Sequence, residues 1–201
     1  MMAGYPRLYR VLLTAITLLL LIACGMTAPT RFYILNPIAD METSSPAAKN
    51  NHISIALVSV SLPEYLSRPQ IVTRQNGHQV KVDEFNRWAE PLEAHVTAIL
   101  AENLSLMLGT DRVSIANRFK TSDVDYQLSV NVLRFDGWPG KEATLVCRWE
   151  LNRGDEPSGS HSQRFSATRS VEGDDYPDLV AALSSMLADL SRDIADQILS
   201  Y

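Results

Sequence analysis

Cysteine is nearly absent from this chain, and its scarcity removes several architectures at once. Only Cys24 and Cys147 occur, so no paired-cysteine redox motif or cysteine-built zinc site is available. Histidine is sparse too. His52, His78, His95 and His161 are scattered without metal-ligand spacing. We read His78 as a turn residue and His95 as a helix-flank residue, both solvated. The nine glycines form no phosphate-cradling loop, and no serine stands in a Gly-x-Ser-x-Gly frame. Positive charge is in deficit, with 18 Lys and Arg against 23 Asp and Glu. That balance argues against a nucleic-acid binder and against a domain that grips anionic headgroups by charge. No apolar run reaches the ~20 residues that a membrane-spanning helix needs. We therefore expect no catalytic residue, no metal site and no enzyme.

What is present begins at the N-terminus. Arg7 and Arg10 precede an apolar run from Val11 to Leu21, and Leu21-Ile22-Ala23-Cys24 follows. A basic start, a short apolar middle and a small residue before a cut site describe a secretory signal. A cysteine at the cut makes it resemble a bacterial lipoprotein signal. In that class the Cys24 thiol takes a diacylglycerol, and the new amino group receives an acyl chain such as palmitate. These covalent lipids are the only added groups we expect. The expected organisation is a signal peptide over 1–23, a lipidated tether over 24–30 and one domain over 31–201. Gly25 follows the cysteine where enteric inner-membrane lipoproteins carry aspartate, which favours the outer membrane, facing the periplasm. Loss of Arg7 and Arg10 widens the acidic excess from five to seven. With Cys24 acylated, Cys147 has no disulfide partner and reads as a small buried apolar residue.

The rest of the chain alternates strand and helix signals. Short strands are predicted over 30–35, 70–74, 79–83 and 112–115. Ile53 to Leu62, apolar on both faces, reads as a central buried strand. Residues 37–51 read as a loop, and Gln75-Asn76-Gly77-His78 as a hairpin turn. A helix is predicted from Pro91 to Gly109, with its apolar face on Leu92, Val96, Ile99, Leu100, Asn103, Leu104 and Met107. Residues 125–135, 142–151 and 162–171 alternate as an antiparallel meander joined by turns at 137–140 and 152–160. A second helix opens at Asp175 and Pro177. Leu179, Leu183, Met186, Leu190, Ile194 and Ile198 line its core face. Asp189, Arg192, Asp193 and Asp196 take the other. The fold class is α/β: a single domain with a mixed β-sheet, an antiparallel meander in its C-terminal half and two main packed helices.

One constellation lies in the middle. Arg68, Gln70 and Arg74 are followed by Glu84, Arg87, Trp88 and Glu90. Two readings stand. One is a salt-bridged corner that fixes the hairpin against the helix start, with Trp88 as a lid. The other is a contact surface for a partner protein, where Trp, Tyr and Arg tend to carry binding energy. The candidate contact residues are Tyr65, Arg68, Gln70, Arg74, Arg87, Trp88 and Glu90.

The same residues carry a family resemblance. Leu62-Pro63-x-Tyr65-Leu66-x-Arg68-Pro69-Gln70-Ile71-Val72-Thr73-Arg74, followed by Glu84-x-x-Arg87-Trp88-Ala89-Glu90-Pro91-Leu92, resembles the PqiC (YmbA) family of ABC-type transport auxiliary lipoproteins. The strand Phe32-Tyr33-Ile34-Leu35 fits as well. The resemblance implies a non-enzymatic partner of a periplasmic MCE-domain protein of the PqiB type, a conduit for lipid between the two membranes. The protein would be held at the outer membrane by Cys24 and would dock on the conduit, supporting lipid transport and envelope integrity. MCE assemblies are rings, so a homo-oligomeric ring is also implied. Two alternatives stay open: an accessory or pilot lipoprotein of another envelope assembly or export machine, and a lipid-anchored periplasmic hydrolase.

Overall fold

One thirteen-residue strand, β6 (Tyr126–Trp138), organises the sheet. Its even-numbered residues Tyr126, Leu128, Val130 and Val132 are buried, as period-two alternation requires. The computed structural model describes residues 9–10, 12–14, 28–38, 52–115, 124–154 and 160–201. Most of the expected signal, Cys24 and the start of the tether, the loop over 39–51 and residues 155–159 of the last turn lie outside the described residues. Among the described residues no helix is long and apolar enough to cross a membrane.

One edge of β6 pairs antiparallel with β7 (Glu142–Arg153), which pairs antiparallel with β8 (His161–Ser170). This is the expected meander. The other edge of β6 is shared. β2 (Ile55–Ser61) runs parallel to its first half, and β3 (Gln70–Arg74) meets it at Thr73↔Gly137. Between β2 and β3 the chain leaves the sheet at Pro63, which has no N–H to donate to a ladder. It makes one 3-10 turn over Glu64–Leu66 and returns.

Two branches grow outward from this shared edge. β5 (Val113–Ile115) adds parallel to β2. β4 (Val80–Trp88) adds antiparallel to β3, and β1 (Arg31–Tyr33) adds parallel to β4. The result is an eight-stranded mixed sheet.

Helix α1 (Leu92–Leu108) carries the chain from β4 across to β5. Pro91 stands one residue before it, and Gly109 stops it in the left-handed region at φ 62°. Helix α2 (Tyr176–Leu199) is capped by Asp175, whose carboxylate accepts the Asp178 N–H. All six predicted core residues of α2 are buried, so its stripe is a core face and not a coiled-coil seam. α2 lies close enough to the sheet that a Cβ on Gly137 would come within 2.7 Å of Leu179 Cδ1.

Several expectations need correction. β2 is buried on both faces only over Ile55–Leu57; a bulge follows, and Val58 is 40 % exposed. Residues 137–138 extend β6 and are not part of the turn. The hairpin turn closes through the Asn76 carboxamide, which accepts the His78 and Gln79 N–H groups, and Gly77 has no positive φ. His95 is buried, not solvated, and its Nδ1 lies 3.5 Å from the Leu35 N–H. It belongs to a row that catches the strap after β1: Ser184 Oγ accepts the Asn36 N–H and Asn103 Oδ1 the Ile38 N–H. Met107 is only partly buried. Asp193 does not face water freely, since it accepts the Trp149 indole N–H at 3.0 Å and the Gln163 amide at 3.1 Å.

Candidate functional site

The motif over 62–92 splits into two halves with different fates. Each half follows from where the backbone takes it.

The first is a closed cluster around Asp136. This residue follows the β6 bulge between Val132 and Arg134. It is 1 % exposed, so an unpaired charge there would be strongly unfavourable. Four donors meet it. Tyr65 Oη donates to Oδ2 at 2.7 Å, Arg74 Nη2 to Oδ2 at 2.9 Å, and Arg74 Nε to Oδ1 at 3.1 Å. Arg134 Nε donates to Oδ1 at 2.9 Å. Burial pushes the carboxyl upward, but the bonds from Arg74, Tyr65 and Arg134 outweigh it and hold Asp136 below the ordinary aspartate range. Burial, and then the carboxylate beside it, pushes the Tyr65 phenol up to about 12. Tyr65 therefore stays a neutral donor. The bond to Asp136 raises the Arg74 guanidinium further still. The cluster ties the 3-10 corner, β3 and β6 together.

A second carboxylate does similar work on β4. The β3–β4 register shifts between Gln70 and Val72. There Asp83 Oδ1 accepts the Phe85 and Asn86 N–H groups at 2.9 Å. Its Oδ2 accepts the Tyr176 hydroxyl at 2.9 Å, pinning the irregular segment to the start of α2. Tyr33 stacks against Tyr176 at 6.0 Å and donates to Asn86.

The other half of the motif is an open cleft of about 530 Å3. Leu62 and residues 66–69 form one wall, and residues 88–93 form the other. Trp88 is 4 % exposed and lies in the floor. It is not a lid. The floor is fixed by backbone bonds: Trp88 N donates to Pro69 O at 2.7 Å, and Ala89 N to Tyr33 O at 2.9 Å. Glu93 Oε2 accepts the Leu62 N–H at 3.4 Å across the gap. At the rim, Arg68 is exposed, and its guanidinium has no partner among the described residues. Glu90 is exposed opposite, with Oε1 3.9 Å from His95 Nε2.

The seven candidates are thus divided. Tyr65 and Arg74 are bound into the Asp136 cluster. Gln70 and Arg87 both reach Glu84, at 3.5 and 3.8 Å. Trp88 is core. Arg68 and Glu90 hold their polar heads at the rim of an apolar hollow, Glu90 with its carboxylate 3.9 Å from the His95 ring. Asp136 and Asp83 escaped the sequence reading.

Cys147 is fully buried, and burial followed by the nearby Asp193 charge pushes its thiol up to about 12. It is not a nucleophile at neutral pH. Among the described residues no group of histidine, cysteine and carboxylates is arranged to hold a metal.

Known proteins resemble this chain in sequence and in fold. "Intermembrane transport lipoprotein PqiC" of Escherichia coli (strain K12) is 25 % identical over 187 residues, covering 92 % of this chain and 96 % of that protein. A crystal structure of an uncharacterized protein superposes with a TM-score of 0.66 at 23 % identity, covering 85 % of this chain and 99 % of the other. Protein XCC0632 from Xanthomonas campestris does so at 0.61 and 17 % identity, with the same coverage. Both structures support the fold alone. Residues 33–195 match the family described as "ABC-type transport auxiliary lipoprotein component", which is a transport accessory class and not an enzyme class. From the strand at Tyr33 to the last turns of α2, the chain belongs to the family of ABC-type transport auxiliary lipoproteins.

Proposed function

We propose that this protein is a lipoprotein of the outer membrane, facing the periplasm, that docks on an MCE-domain conduit and supports lipid transport between membranes. Acylation of Cys24 holds it at the membrane. The folded domain grips the conduit through the cleft over 62–93. The observation that carries this reading is the cleft itself. It is largely apolar, floored by a buried tryptophan and rimmed by an exposed arginine, the kind of pocket that receives an anchor side chain from a partner. The family and the relative's printed role in intermembrane transport support the assignment. No group transfer is needed. Binding and positioning are the whole mechanism, and a ring of several copies is compatible with it.

The test is an affinity capture from crosslinked, solubilised envelopes, read by mass spectrometry. An MCE-domain protein as the leading specific partner supports the reading. A different envelope machine in its place moves the assignment to an accessory or pilot lipoprotein of that machine. Cys24→Ala should abolish fatty-acid labelling; labelling that survives the change would remove the anchor.

A further inference from the structure

Two edge strands of the sheet, β1 and β8, differ in kind. β8 presents Ser162, Arg164, Ser166 and Thr168 to water. β1 is three residues long, yet Phe32 is 65 % exposed and Ile34, just beyond it, is 55 % exposed. Phe85, on the neighbouring β4 beside the Arg31↔Asn86 pair, is 40 % exposed. Exposed apolar side chains grouped on a strand edge are a liability unless something covers them.

Chain length names the cover. Six residues, 25–30, lie between the acylated cysteine of our proposal and the start of β1 at Arg31, which makes seven Cα-to-Cα steps. Fully extended, that leash spans at most about 25 Å. A folded body of the size of residues 31–201 has a radius of gyration of about 15–16 Å and is about 40 Å across. The leash is shorter than the domain is wide, so the side of the domain that carries β1 must face the bilayer. The acidic excess of the chain offers no general attraction to anionic lipid, which leaves apolar contact and the exposed Arg31 to make the local fit.

We infer that the β1 edge is a membrane-contacting surface, with Phe32 and Ile34 seated in the interfacial zone of the lipid bilayer. The inference rests on the acylation of Cys24 proposed above. It also fixes orientation. Tyr33 pairs with Trp88, so the cleft opens beside the contacting edge, close to the membrane surface.

The experiment uses the full-length lipidated protein in vesicles of phosphatidylethanolamine and phosphatidylglycerol. Single cysteines replace Phe32, Ile34 or Ser162 and carry an environment-sensitive fluorophore; Cys147 is buried and stays unlabelled. Nitroxide lipids should quench the probes at 32 and 34 several-fold more than the probe at 162. Equal quenching at all three positions overturns the inference. So does shielding of positions 32 and 34 from aqueous iodide before vesicles are added, which would mean that another segment or a second copy covers the edge. The intact mass separates the two readings. An unmodified Cys24 defeats the anchor and this inference with it, whereas an acylated Cys24 with water-exposed 32 and 34 defeats this inference alone.

Discussion

The Asp136 cluster and the cleft beside it are built from one contiguous motif, yet they behave as opposites. In the cluster Tyr65, Arg74 and Arg134 all donate to the same carboxylate, and among the described residues no buried side-chain nitrogen or oxygen lacks a partner. In the cleft, a few residues away, the Arg68 guanidinium has no partner among the described residues and an apolar hollow lies open. A shared motif therefore mixes two kinds of constraint. Tyr65 and Arg74 hold the corner where β2 and β3 share one edge of β6. Arg68 and Glu90 stand exposed at the cleft rim, where a partner can reach them.

The comparison can be broken from its structural side first. Trp88→Ala removes a buried indole from the shared floor and should destabilise by about 3–5 kcal/mol, seen as a large fall in the urea midpoint. A small fall would mean that the floor is not part of the core. Asp136→Ala comes next. It strands two guanidiniums and a phenol, but the arginine side chains keep 25 % and 32 % of their exposure. That leaves a loss of about 2–4 kcal/mol, toward the lower end of what breaking a buried pair costs.

Acid sharpens the same contrast. The Asp136 carboxyl is held below its unfolded value. Its contribution is therefore present above the unfolded pKa of about 3.9 and is lost as pH falls through the lower folded value. Stability should drop below about pH 4. In the Asp136→Asn variant the drop over that range should be shallower. Equal slopes would show that the cluster does not titrate as described. Cys147 should resist thiol reagents in the native state and react only on unfolding, with no measurable effect on the cleft.

Arg68→Ala sits at the other end of the scale. It should change stability by no more than about 0.5 kcal/mol while lowering partner capture. If it instead unfolds the protein, the cleft rim is as structural as the cluster and the distinction collapses.

Much of this was legible in the residues. Pro91 and Gly109 bracketed α1, Asp175 and Pro177 opened α2, and alternation marked β6, β7 and β8. The strands around the hairpin were found, although β4 runs on to Trp88 because Asp83 stabilises an irregular segment that periodicity does not describe. The cluster was not legible. Tyr65 and Asp136 lie 71 residues apart, and they meet only because β2 and β3 lie along one edge of β6. No local pattern singles out Asp136 from the other acids. His95 and Asp193 were misplaced for a related reason. Helical spacing gives a face, but it does not reveal that a strap from Leu35 to Ile38 or an indole N–H will cover a polar residue on it.

The central claim is that the open half of the motif is an interface and the closed half is not. The direct measurement is in-cell photocrosslinking, with a photoreactive amino acid placed at Arg68 and, separately, at Thr168 on the exposed face of β8. The account predicts a specific adduct with an MCE-domain protein from position 68 and none from position 168. Adducts of equal yield from both positions, or none from position 68 in a folded, membrane-bound protein, would contradict it.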